Sequence, residues 1–80
     1  MDIRLSKTAA RTLAKSDKRD LIRDKLRQLA AEPLALSANV KKLQDRSDYR
    51  LRVQNWRVIF RLEGDVLWVD EIMPRGSGYE

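Results

Sequence analysis

An α+β domain, with its helices on one face of a sheet, is predicted by three features of this 80-residue chain. Apolar residues recur at helical spacing between residues 9 and 29, and they alternate with polar ones from residue 49 onward. Two turn signals, Gln54-Asn55 and Gly64-Asp65, then divide the alternating region into three pieces. The expected order is a short N-terminal strand, a two-helix hairpin and a three-stranded antiparallel meander. Residues 1–80 make one domain.

The first strand is Asp2-Ile3-Arg4-Leu5, which alternates polar and apolar. Ser6 follows, a residue type whose hydroxyl accepts a hydrogen bond from a free amide in the first helical turn. Ala9, Ala10, Leu13 and Ala14 share one side of a first helix that ends near Lys15. Ser16 or Asp17 is expected to cap a second helix, with Asp17 and Asp20 where the helix dipole favours carboxylates. Leu21, Ile22, Leu26 and Leu29 form its apolar stripe, and Lys25 adds its aliphatic stem. Pro33 stops the helix, because the residue before a proline is pushed out of helical conformation. Residues 33–48 read as a connector pinned to the core by Leu34, Leu36 and Val40. Lys41, Lys42 and Arg46 form a basic group within it.

The sheet resumes with Tyr49 to Phe60, YRLRVQNWRVIF, around which the chain is organised. With Gln54-Asn55 as a two-residue turn, Val53 faces Trp56, Arg52 faces Arg57, Leu51 faces Val58 and Arg50 faces Ile59. Tyr49, Leu51, Val53, Trp56, Val58 and Phe60 then share a core face, and Arg50, Arg52, Arg57 and Arg61 share the opposite one. Like charges directly opposite each other weaken a sheet, so Arg52 against Arg57 costs stability and marks a functional position. With Gly64-Asp65 as a second tight turn, Arg61 faces Trp68 and Ile59 faces Asp70 along a strand from Val66 to Met73. Trp68 joins the arginine face, as a base-stacking or cation–π partner or as a structural aromatic. Asp70 is expected to be a counter-ion for Arg52, Arg57 or both. The tail, PRGSGYE, should leave the strand as a loop with Arg75 and Tyr79 near the arginine face.

A chain of this length buries only about 60% of its unfolded surface, so its core is thin. Charged residues make up 36%, but the apolar residues are patterned, which argues against general disorder. No apolar run is long enough to span a membrane, the N-terminus carries no signal-peptide segment, and the expected compartment is the cytoplasm. The absence of cysteine excludes disulfides and thiolate metal sites, and the absence of histidine excludes a histidine triad or metal site. No cofactor is expected. The net charge of +5 suits an anionic partner. The excess of cations lies in residues 1–48, so the arginines of the balanced C-terminal part matter only because alternation gathers them.

Guanidinium groups make paired hydrogen bonds to phosphate, and four on one face with Arg75 and Tyr79 would form a site for a nucleic-acid backbone. Lys41 and Lys42 read as a solvated turn on charge alone, or as a phosphate-contacting rim beside the arginine face. Attack of a ribose 2′-hydroxyl on the neighbouring phosphate builds charge on phosphate oxygens, which fixed guanidinium groups stabilise. A guanidinium holds its proton too tightly to act as the base, so Tyr79 or a lysine such as Lys42 would have to assist proton transfer.

The order of elements, with YRLRVQNWRVIF, a strand ending VDEIMPR and a final R-x-x-x-Y, resembles the RelE/ParE superfamily of bacterial toxins, most closely its RelE-like branch. The resemblance covers nearly the whole chain. It implies a metal-independent endoribonuclease that enters the ribosomal A site, cuts messenger RNA there and inhibits translation. It also implies a cognate antitoxin, through which the pair contacts operator DNA. By position, Arg57 and Arg75 match arginines that stabilise the scissile phosphate, and Tyr79 matches a tyrosine that stacks on or orients the substrate base. Arg50 and Arg52 match basic strand residues on the RNA backbone, and Lys42 resembles a basic connector position. With Arg61, Lys41 and Trp68 these complete the expected RNA-binding set. The chain departs from the pattern in three places: arginines stand where some relatives have strand lysines, Pro74 where many have histidine, and Asn55 where a turn glycine is usual. A ParE-like inhibitor of DNA gyrase acting by protein binding, or a non-catalytic basic module, are the other readings.

Overall fold

The computed structural model describes residues 1–32, 40–42 and 48–74. Strand β1 (Asp2–Leu5) leads into helices α1 (Lys7–Lys15) and α2 (Arg19–Ala31). Strands β2 (Val40–Lys42), β3 (Tyr49–Val53), β4 (Trp56–Glu63) and β5 (Val66–Pro74) follow. They form one five-stranded sheet in the order β1-β5-β4-β3-β2, with β1 parallel to β5 and the other pairs antiparallel. Neither helix is long and apolar enough to cross a membrane.

Ser6 caps α1 as its chemistry requires: its Oγ accepts from the Ala9 amide at 3.0 Å. The same hydroxyl donates to the Asp70 carbonyl at 2.7 Å, tying the start of the helix to β5. The expected cap of α2 is corrected. Lys18 holds the N-cap position and makes no side-chain cap bond. Ser16 instead closes the turn between the helices: its amide donates to the Leu13 carbonyl at 3.1 Å and its hydroxyl accepts from the Lys18 amide at 3.0 Å. Asp17 is drawn to the sheet, where its Oδ1 accepts from Trp56 Nε1 at 3.3 Å. Helix α2 ends at Ala31, ahead of Pro33.

Ala9, Leu13, Ile22, Leu26 and Leu29 of the helices pack with Leu51, Val53, Val58, Phe60, Leu67, Val69 and Ile72 of the sheet in one core. Tyr49 and Phe60, a cross-strand pair, stack with ring centroids 5.5 Å apart. Leu21 and Lys25, expected on the buried stripe, lie at its half-buried edge.

Two sheet features depart from the expected layout. Val40–Lys42 is an edge strand paired with β3, where a connector was expected, and Val40 packs on the core. Three residues are too few for periodicity to register, so only the neighbouring strand reveals them. The readings placed on Leu34, Leu36 and Arg46 lie outside the described residues.

The second departure is a bulge. The register between β3 and β4 is the expected one, from Val53 opposite Trp56 to Arg50 opposite Ile59. Between β4 and β5, Arg61 lies opposite Trp68 and Phe60 opposite Val69, but Ile59 then faces Glu71 rather than Asp70. Asp70 is an extra residue without a cross-strand partner, which reverses the side taken by everything after it. Unbroken alternation would put Glu71 in the core and Ile72 outside. The bulge seats Ile72 in the core, at 4% exposure, and turns Glu71 to the other face. Strand β5 also runs one residue further than expected, to Pro74 opposite Trp56.

Both tight turns form. Gln54, not Asn55, takes the positive φ in the first, at 51°, and Gly64 takes it in the second, at 58°.

Candidate nucleic-acid interface

The sheet face turned away from the helices is built in cross-strand rows. Lys41, Arg50, Ile59 and Glu71 form one row across β2, β3, β4 and β5. Arg52, Arg57 and Met73 form the next, toward the Gln54-Asn55 turn. Arg61, Trp68 and Arg4 form a third, toward the other end. Arg50, Arg52, Arg57 and Arg61 therefore share a face, as alternation predicts, and Lys41 and Trp68 join them. Lys42 lies opposite Tyr49, on the alternate side of the edge strand, and is exposed. Arg75 and Tyr79 lie outside the described residues.

The face is not uniformly open. Ile59 has no accessible surface and Arg57 is only 6% exposed. Arg57 also has an interaction partner. Arg52 is exposed, and Arg50 is half-buried. Long side chains on neighbouring positions can lay their stems over Ile59 while keeping their charged heads out. The direct opposition of Arg52 and Arg57 is thus real, with one member buried and the other exposed to solvent.

Arg61 stands apart electrostatically. Its Nε donates to Asp70 Oδ2 at 3.1 Å, its Nη1 pairs with Glu63, and its guanidinium carbon lies 5.3 Å from the Trp68 ring centroid. The cation–π reading of Trp68 holds. The expectation that Asp70 relieves Arg52 or Arg57 is corrected: the bulge carries it to Arg61, so the central arginines keep their charge uncompensated by that carboxylate.

Sequence reasoning missed Glu71. One of its carboxylate oxygens, Oε2, is buried and has no hydrogen-bond partner among the described residues. A signal was present: the apolar residues of β5 fall at Leu67, Val69 and Ile72, and the three-residue step locates the bulge.

No family model matches the chain, and no curated protein is significantly similar to it in sequence. Solved structures are similar in fold. The RelE–RelB complex from the archaeon Pyrococcus horikoshii contains a chain with a TM-score of 0.79 at 22% identity, covering 96% of this chain and 97% of that one. YafQ from E. coli has a TM-score of 0.78 at 17% identity, covering 99% and 98%. The isolated E. coli RelE toxin has a TM-score of 0.76 at 18% identity, covering 98% and 87%. The chain has the RelE-like toxin fold over nearly its whole length.

Proposed function

We propose that this protein is the toxin of a toxin–antitoxin system and acts as a ribosome-dependent endoribonuclease on messenger RNA. The observation that carries the reading is the almost buried Arg57 flanked by Arg50 and Arg52 on one sheet face of a RelE-like fold. A buried guanidinium beside more exposed ones suits a phosphate whose charge grows as the bond breaks. In this reading Arg57 and Arg75 stabilise the scissile phosphate and Tyr79 orients the neighbouring base. Arg50, Arg52 and Lys41 hold the flanking backbone, while Arg61 with Trp68 offers a stacking surface. A cognate antitoxin neutralises the toxin, as the antitoxin-bound relatives suggest by analogy.

The test is cleavage of a message programmed on ribosomes, mapped by primer extension, beside a gyrase supercoiling assay. Cuts confined to ribosome-bound message are expected. Arg57→Ala should slow cleavage by about 10²–10³-fold, the usual loss for one preorganised charge-stabilising group. Because Arg57 is buried, folding of that variant is checked by circular dichroism, and Arg52→Ala at the exposed neighbour should weaken binding without unfolding the chain. Intact messages with inhibited gyrase would replace this reading by the protein-binding one.

A further inference from the structure

A cluster of arginines stabilises charge but leaves the attacking 2′-hydroxyl without a group to take its proton. Glu71 is a carboxylate on the same face, and three observations set it apart. It arrives there only through the bulge: Val69 pairs with Phe60, Glu71 with Ile59, and Asp70 between them pairs with neither. The bulge is fastened on both sides, by the Ser6 hydroxyl on the Asp70 carbonyl and by Arg61 on the Asp70 carboxylate. And Glu71 Oε2 is buried with no hydrogen-bond partner among the described residues, although the residue as a whole keeps partial exposure. A buried acceptor left unmade costs stability, and folded proteins keep few of them. Bulges recur beside active sites, where they re-aim one side chain.

The surroundings are cationic. Arg57 and Arg61 are the next residues along β4 on this face, on either side of Ile59. Arg50 lies beyond Ile59, two strand spacings or about 10 Å from Glu71 between Cα atoms. The acidic neighbour Asp70 is taken up by Arg61. Glu71 thus lies one cross-strand row from Arg57, on the same face of the sheet.

We propose that Glu71 is the proton acceptor of the cleavage reaction; this rests on the endoribonuclease reading above. Its carboxylate takes the proton of the 2′-hydroxyl as that oxygen bonds to the adjacent phosphorus. The bond from phosphorus to the 5′-oxygen breaks with its electron pair on that oxygen, which takes a proton from water. The products are a 2′,3′-cyclic phosphate and a 5′-hydroxyl, and Glu71 returns its proton to solvent. Arg57 steadies the phosphoryl oxygens throughout.

The decisive variant is Glu71→Gln, which keeps size and burial but cannot accept the proton as a carboxylate does. Single-turnover cleavage of ribosome-programmed message is followed for both proteins. The variant should cleave about 10²–10⁴-fold more slowly, while ribosome affinity and the thermal midpoint stay near wild type. Glu71→Asp, which restores a carboxylate on a shorter stem, should recover part of the rate. Cleavage by Glu71→Gln within threefold of wild type overturns the assignment and leaves the endoribonuclease reading standing. A rate lost together with binding and folding, unrescued by aspartate, also overturns it in favour of a structural role. Failure of the wild type to cut any message overturns both.

Discussion

The Ser6 hydroxyl links helix, bulge and candidate site, and its removal should be felt at all three. It accepts from the Ala9 amide at 3.0 Å and donates to the Asp70 carbonyl at 2.7 Å, which uses its single proton and one lone pair. Ser6→Ala removes both. Loss of an N-cap costs about 1 kcal/mol, and loss of a hydrogen bond to a backbone carbonyl costs about 1 kcal/mol more. A total of about 2 kcal/mol is large against the roughly 4–12 kcal/mol that holds a domain of this size. Thermal unfolding followed by circular dichroism should show a midpoint lowered by about 8–16 °C, at about 4–8 °C per kcal/mol for a chain this short. Ser6→Asp separates the two bonds. Its carboxylate still accepts from Ala9 and gains from the helix dipole, but it has no proton for Asp70 and sets acceptor against acceptor. It should therefore fall between wild type and alanine. A midpoint for Ser6→Ala within about 3 °C of wild type, well below the change expected for even one lost bond, would refute this account of how the bulge is held.

Other outcomes follow from single positions. Gly64→Ala should cost about 1 kcal/mol in urea unfolding, all of it backbone strain, because φ is 58° and an added Cβ would meet nothing within 4 Å. Asp70→Asn weakens a partly exposed ion pair, so stability should fall by less than about 1 kcal/mol. The same change leaves Glu63 as the carboxylate on Arg61 and removes one negative charge from the face, so it should strengthen RNA binding and steepen its dependence on salt, measured by filter binding at several ionic strengths. An unchanged salt slope would mean that Asp70 does not limit the reach of Arg61 to phosphate.

The hairpin from Tyr49 to Phe60 was readable because each of its signals agrees. Its strands alternate with a period of two, and Gln54-Asn55 is the one polar pair that closes them in register. The helices were readable for the same reason, since Ile22, Leu26 and Leu29 repeat at helical spacing around a single core face. Where a residue answers to two partners, local pattern fails. Ser16 looks like the cap of the helix after it, yet it closes the one before, because the turn needs its hydroxyl for the Lys18 amide. Asp70 looks like a counter-ion for whichever arginine stands opposite, yet an unpaired position in the ladder hands it to Arg61.

Composition and periodicity alone determined the α+β class, the two helices, the register of the central hairpin and the gathering of Arg50, Arg52, Arg57 and Arg61 on one face. These depend on contacts between near neighbours in the chain, which leave a repeat in the sequence. Only the tertiary structure decided that β1 lies parallel to β5, that Val40–Lys42 completes the sheet edge, and that Arg57 is buried while Arg52 is not. It also decided which acid faces the arginines. That choice turns on one extra residue in β5, held by a serine 64 positions away in the chain, and a bond between such distant residues leaves no periodic trace.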